Sequence, residues 1–266
     1  MKGYLSQLIL EGFSVCSFDF SGCGLSEGEY ISLGFKEQND IEVVLEYLNS
    51  LQRYENFFLW GRSMGAVTAL FYVASTHQNL IKGMILDSSF ISLRRMVLEY
   101  MSETTKLPEI LLYPMIPLIN RLIRGKIGLE FGDFEMREQL NYLDCNMKQK
   151  APHVMFLASK NDLVVKASHS EELLKLYPGK HKMITYIKEK HEEDRSKKVI
   201  KECVGFLVKT LDKIKKEEED NRPSNGYMGH IRELSSNRNK SYKNGSGSFE
   251  VLRNNVYTTN YYSFLH

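Results

Sequence analysis

The stretch Phe57-Phe58-Leu59-Trp60-Gly61-Arg62-Ser63-Met64-Gly65-Ala66 does most to narrow what this chain can fold into. An apolar run of strand character leads into Gly-x-Ser-x-Gly, and a helical pattern rich in Ala, Leu and Val follows at once. A strand that turns directly into a helix leaves almost no room inside the turn. Residues two before and two after the serine must then lack bulky side chains, a need that Gly61 and Gly65 meet. The turn would hold Ser63 exposed at the carboxyl end of its strand. The first N–H groups of the helix, chiefly that of Met64, would point where negative charge develops on an oxygen bonded to an attacked carbon. The alternative reading of the same residues is a glycine-flanked serine in an ordinary βα turn.

The rest of the chain is read around that turn. Tyr4 to Leu10 reads as the end of a helix stopped by Gly12, and Phe13 to Phe20 as a buried strand. That strand runs into Asp19-Phe20-Ser21-Gly22-Cys23-Gly24-Leu25-Ser26-Glu27-Gly28. The glycine spacing is Gly-x-Gly-x-x-x-Gly, and Glu27 would sit where a pyrophosphate approaches, so no cofactor is expected. Between Phe35 and Leu51, the residues Ile41, Val44, Leu45 and Leu48 fall on one face of a helix. After a helix from Ser63 to about Ala74, a second strand over Ile81 to Leu86 ends in Asp87-Ser88-Ser89-Phe90. Strand, helix and strand at this spacing call for a parallel sheet with helical crossovers.

Residues from Ile91 to about Met147 differ in character. They carry helical patterns rich in Leu, Ile, Met and Tyr, cut by prolines, with no convincing strand. Such a segment is either a lid over the serine or a set of extra helices packed on the sheet. His153 to Leu157 is the next strand and leads to Asp162. A helix from about Ser168 to Tyr177 precedes a last strand, Met183 to Ile187, which leads to His191. A final amphipathic helix from near Ser196 carries Val199, Ile200, Cys203, Val204, Leu207 and Leu211 on its buried side. A serine after one strand, an aspartate after a later strand and a histidine after the last give the chain order of one form of the Ser-His-Asp triad. Asp87, which also ends a strand, is the rival acid, and His169 is the rival base. His77, His153, His181, His230 and His266 read as surface or structural, and Glu192 to Asp194 as a solvated run. Arg62 either braces the turn through an ion pair or faces solvent.

The segment from about Leu8 to Leu211 resembles the α/β-hydrolase superfamily, and within it the group labelled serine-aminopeptidase-like or depalmitoylase-like. Three phrases carry the resemblance in order: the run from Asp19 to Gly28, Leu59-Trp60-Gly61-Arg62-Ser63-Met64-Gly65-Ala66, and Ile85-Leu86-Asp87-Ser88-Ser89-Phe90. It implies an α/β-hydrolase fold, a mostly parallel sheet flanked by helices, with a helical lid at about 91–147. By resemblance Ser63 is the nucleophile, Asp162 the acid and His191 the base, with Met64 lending its N–H to the oxyanion hole. The implied reaction is cleavage of an acyl ester or thioester through an acyl-serine intermediate, on a small acyl substrate or an acylated protein. Alternatives are a serine aminopeptidase-like peptide hydrolase, or a truncated non-catalytic homologue that only binds. Many relatives follow the histidine with Asn-Ser-Pro-Arg. Here Glu192-Glu193-Asp194-Arg195 stands in that place, so a differently set histidine loop is expected.

A second departure lies at the amino end. In the family, a strand ending in a His-Gly loop precedes the opening helix and donates the second oxyanion N–H, whereas this chain starts at or inside that helix. The family topology puts that strand between the one ending at Asp19 and the one leading to Ser63. Its absence would leave buried groups unpaired at about 1–3 kcal/mol each, against a net stability of roughly 5–15 kcal/mol. Losing one oxyanion donor would slow catalysis by about 10²–10³. A hydrolase domain over residues 1–214, lacking the first strands of the family, is therefore expected.

Composition sets the partners and compartment. A net charge of +2 over 266 residues, with lysines spread among glutamates, gives no reason to expect nucleic acid. Cys16, Cys23, Cys145 and Cys203 show neither close pairs nor metal-ligand spacing, which points to reduced thiols, no metal and a cytoplasmic setting. No stretch reads as a secretory leader. The longest apolar segment, Leu107 to Ile123, is broken by Pro108, Pro114 and Pro117 and contains Arg121, a poor membrane span. From Lys215 to His266 the chain is polar and basic, too poor in apolar residues to offset its ordering entropy, and is expected to be a disordered tail. Its Arg232, Arg238, Lys240, Lys243 and Arg253 offer at most a weak peripheral contact with an anionic membrane surface.

Overall fold

The computed structural model describes residues 2–76, 79–147 and 151–220. Four strands form one sheet: β1 (Phe57–Arg62), β2 (Ile81–Asp87), β3 (His153–Ser159) and β4 (Lys182–Ile187). Their order is β1-β2-β3-β4 and every pairing is parallel. Parallel neighbours need a crossover, and helices supply each one. The first is α3 (Met64–Ser75), between β1 and β2, and α8 (Ala167–Leu176) joins β3 to β4. A longer helical insertion separates β2 from β3. α1 (Lys2–Leu10) and α2 (Gln38–Ser50) precede the sheet, and α9 (Lys197–Asp220) follows it.

The alternation of side chains along each strand sorts the apolar residues into two cores. Phe57, Met84, Leu86, Val154 and Phe156 pack with Ile41 and Leu45 of α2, and with Val67, Leu70 and Phe71 of α3. The intervening residues Ile85, Met155 and Leu157 pack with Leu8 of α1 and Val199, Cys203, Val204 and Leu207 of α9. α3 is buried on nearly all sides, from Ala66 to Val73, which is why its sequence is apolar without a polar face. β2 and β3 are covered on both faces and read as continuous apolar runs for the same reason.

The insertion is helical throughout, with α4 (Leu93–Thr105), α5 (Glu109–Leu112), α6 (Ile116–Ile127) and α7 (Met136–Met147) joined by short turns. Its prolines are placed where they do no harm. Pro117 lies in the first turn of α6, where the missing N–H has no helical acceptor to lose. The pieces of this region differ in burial. α7 packs against α3, with Met136, Leu140 and Leu143 buried, as an added helix would. α5 and α6 instead leave Ile110, Leu111, Leu118 and Leu122 exposed.

Two expectations are corrected. Phe13 to Phe20 forms no strand. Apolar character does not suffice for a strand without a neighbouring edge to complete its hydrogen bonds, and no described strand lies beyond β1 on that side. Val15 and Phe18 are consequently exposed, while Phe13 packs edge-on against Phe58 with ring centroids 5.9 Å apart. At the other end, residues 215–220 are helical as the last part of α9, and the remainder of the expected tail lies outside the described residues. The compact unit that carries the site spans residues 1–211. Among the described residues, no helix is long and apolar enough to cross a membrane.

Candidate active site

β1 ends at Arg62, and α3 begins at Met64, so Ser63 alone makes the turn. Its backbone sits at φ 51° and ψ −116°, a conformation that side chains other than glycine rarely adopt. The strain is held from both sides. The Ser63 N–H donates to the Asp87 carbonyl at the end of β2 (2.8 Å), and the Ser63 carbonyl accepts from Ala66 and Val67 in the first turn of α3. Gly61 is required by contact. A Cβ there would lie 2.2 Å from the Gly65 carbonyl oxygen and 2.5 Å from the Ala66 nitrogen. Gly65 differs from expectation, since a Cβ there would meet nothing within 4 Å. Met64, the first residue of α3, has no acceptor within the helix for its N–H, so this group is available beside the Ser63 hydroxyl.

The structure brings the three expected side chains together. His191 Nε2 lies 3.1 Å from Ser63 Oγ, and His191 Nδ1 lies 2.7 Å from Asp162 Oδ2. The other carboxylate oxygen of Asp162 accepts the N–H groups of Val164 (2.9 Å) and Val165 (2.8 Å). Burial alone would raise the Asp162 carboxyl. The hydrogen bond and charge of His191, with the Val165 N–H and the Ser88 hydroxyl, outweigh it and hold the group below the usual carboxylate value. An ionised Asp162 only accepts, so the neutral His191 ring carries its proton on Nδ1 and presents the Nε2 lone pair to Ser63.

The rivals are placed elsewhere. Asp87 is buried, but its carboxylate faces Arg195, which donates from Nε and from a terminal nitrogen at 2.8 Å each. His169 is buried at the start of α8, where its Nδ1 accepts the Ile91 N–H at 3.2 Å and its Nε2 lies 3.3 Å from Glu99 Oε2. Arg62 lies 4.0 Å from Asp87 and donates to the Glu193 carbonyl at 3.0 Å, so it does brace the turn. Glu192, Glu193 and Asp194 are exposed, as their charge run suggested. His153, at the start of β3, and His181, just before β4, hold their rings tilted at 57° with centroids 4.4 Å apart. His77, His230 and His266 lie outside the described residues.

One participant went unrecognised in the sequence. Ser88, at φ 54°, directly follows β2 and touches both the Asp87 carboxylate (3.2 Å) and Asp162. The signal available was its place at a strand end between two other polar residues.

A serine, an aspartate and a histidine thus meet at the carboxyl ends of the strands of a parallel sheet with helical crossovers. Residues 3–127 match the sequence model of the family described as serine aminopeptidase, S33. An uncharacterized membrane protein of Saccharomyces cerevisiae is 34% identical over 86 residues, which is 32% of this chain and 30% of that protein. The uncharacterized protein YqkD of Bacillus subtilis is 27% identical over 199 residues, 71% of this chain and 62% of its own length. The chain thus spans less than two thirds of either of these curated relatives. The solved Pyrococcus furiosus esterase Pf2001 shares the fold with a TM-score of 0.57 at 22% identity, covering 80% of this chain and 76% of that one. With the mouse alpha/beta hydrolase domain-containing protein 10 the TM-score is 0.54 at 15% identity, covering 80% of this chain and 84% of that one, so the chain has the α/β-hydrolase fold.

Proposed function

We propose that this chain is a serine hydrolase that cleaves an acyl ester or thioester through an acyl-serine intermediate. The observation that carries the reading is the continuous path Ser63 Oγ–His191 Nε2 and His191 Nδ1–Asp162 Oδ2, at 3.1 and 2.7 Å. A serine hydroxyl is a weak nucleophile near neutral pH. As Ser63 Oγ attacks the acyl carbon, its proton passes to His191 Nε2, and Asp162 stabilises the imidazolium through Nδ1–H. The Met64 N–H, at the positive end of α3, donates to the oxyanion that forms on the attacked carbonyl. Collapse expels the alcohol or thiol, which takes the proton from His191. Water then repeats the sequence on the acyl-serine and restores the free hydroxyl.

An acyl ester is favoured over a peptide by the helical insertion, which leaves the sheet just after Ser88, beside the nucleophile, and carries exposed Leu and Ile side chains on α5 and α6. The match of residues 3–127 to the serine aminopeptidase family supports peptide hydrolysis as the second reading.

Labelling of the purified 266-residue chain by a fluorophosphonate probe tests the proposal, with Ser63→Ala as control and circular dichroism to verify folding. Labelling confined to the parent is expected, followed by turnover of acyl-chain esters in preference to aminoacyl amides. A folded parent that takes no label would refute it and leave the binding-protein alternative.

A further inference from the structure

Asp87 and Arg195 stand outside the proton path, yet they touch both of its ends. The Asp87 carbonyl accepts the Ser63 N–H at 2.8 Å and so fixes the strained turn of the nucleophile. Its carboxylate is gripped by Arg195 in a two-pronged pair, with side chains 2% and 0% exposed. The remaining nitrogen of the Arg195 guanidinium donates to the Lys190 carbonyl at 2.7 Å and lies 3.3 Å from the Glu193 carbonyl. Those two carbonyls bracket His191 in the chain. A single planar fork therefore joins the end of β2 to both sides of the histidine loop.

The loop has a second anchorage toward β3. Ser159 Oγ donates to the Glu189 carbonyl and Asn161 Nδ2 to the Lys188 carbonyl, at 2.5 and 2.6 Å. Both contacts lie on the amino-terminal side of His191. On the carboxyl-terminal side, the Glu193 carbonyl is held by Arg62 and Arg195, and Arg62 is partly exposed. Arg195 is thus the buried contact that reaches both sides of His191.

We propose that Arg195 is a positioning residue that aligns His191 with Ser63, using Asp87 as a post shared with the nucleophile. The inference rests on reading Ser63 and His191 as nucleophile and base. A buried ion pair can often be replaced by apolar residues without loss of stability, whereas removing one partner leaves the other buried and poorly compensated, here with only the partly exposed Arg62 at 4.0 Å from Asp87. The geometry points to alignment as what this pair supplies.

The test uses the 266-residue protein labelled with 15N-histidine, as parent, Arg195→Lys, Arg195→Met and the double variant Asp87→Leu/Arg195→Met. Urea midpoints report stability, steady-state kinetics on an acyl ester report kcat and KM, and the ring 15N shifts of His191 report which nitrogen carries the proton. Arg195→Met is expected to lose stability, and the double variant to recover it. The double variant should still show kcat lowered by about 10–10²-fold with KM little changed, the penalty of roughly 1 Å of misalignment. Its His191 should shift from the Nδ1-protonated form to a mixture of tautomers. Arg195→Lys keeps the charge, but a point ammonium cannot serve a carboxylate and two carbonyls at once, so it should fall between. It also carries the test if the double variant does not fold. A folded double or lysine variant with parental kcat and tautomer overturns the inference. If the parent neither labels nor turns over ester, the hydrolase reading fails, and the tautomer alone decides: its loss on substitution supports positioning, and its retention refutes it.

Discussion

Lowering the pH from 6.5 to 4 should destabilise this protein through one residue remote from the proton path, His169. Its ring is fully buried between α8 and the segment that follows β2. Nδ1 accepts the Ile91 N–H, so the neutral ring carries its proton on Nε2, toward Glu99 Oε2 at 3.3 Å. The charged groups around it are Glu99 and Arg95 on α4 and Glu172 on α8. Burial, opposed in part by Glu99 and reinforced by Arg95, lowers the His169 pKa from 6.5 to about 4. A base with a depressed folded pKa leaves stability untouched above 6.5, where both states are neutral. As pH falls below 6.5, the unfolded chain binds a proton that the folded chain does not, and stability falls until about pH 4. At about 1.4 kcal/mol per tenfold, the interval from 6.5 to about 4 comes to about 3 kcal/mol. The assay is urea unfolding at several pH values across this window, followed by fluorescence of Trp60, the single tryptophan of the chain. His169→Asn keeps an acceptor for the Ile91 N–H and removes the titration. The vacated space lowers its midpoint at every pH alike, so only the difference in pH slope is diagnostic. Identical slopes for parent and variant would refute the reasoning.

Two further substitutions probe the turn and the acid. Gly61→Ala places a methyl carbon 2.2 Å from the Gly65 carbonyl oxygen, a backbone atom that cannot step aside, and should cost about 1–3 kcal/mol and lose fluorophosphonate labelling. Gly65→Ala, which meets nothing, should retain both stability and label, so equal losses in thermal melts and labelling would contradict the contact argument. Asp162→Asn preserves an acceptor for Val164 and Val165 but turns an amide toward His191 Nδ1, which forces the proton to Nε2. Ester turnover should fall by about 10⁴-fold while the melting temperature moves little, and a variant with near-parental kcat would exclude Asp162 as the acid.

The sheet was legible because its strands are short apolar runs separated by helical periods, a pattern that leaves few alternatives to parallel crossovers. The residues of the site were legible because Ser63, Asp162 and His191 each follow a strand. What the pattern could not convey was pairing. Phe13 to Phe20 has a strand's composition, but a ladder depends on an adjacent edge, which periodicity does not encode. His169 shows the same gap for a single side chain. In the sequence it is a histidine near candidate Asp162, and only in three dimensions do burial, the nearby Arg95 and the Ile91 N–H donated to Nδ1 make it a neutral ring. Gly65 errs in the other direction, since the rule that both glycines must be small holds by contact for Gly61 alone.

Asp87 is the instructive case, because its sequence signal was real and its assignment open. All four strands run the same way, so all four carboxyl ends open on one edge of the sheet. β1 delivers Ser63 there, β3 delivers Asp162 and β4 delivers His191, which leaves β2 as the strand between Ser63 and Asp162. Asp87, at its end, is close enough to hold the Ser63 N–H through its carbonyl, and its carboxylate must find a partner because it is buried. An acid in that position could serve His191 only if no cation reached it first. Arg195, four residues after the histidine, does reach it, and ties this candidate acid to the loop that carries His191. The same residue type at the same edge therefore meets one of two partners, a guanidinium at Asp87 and an imidazole at Asp162.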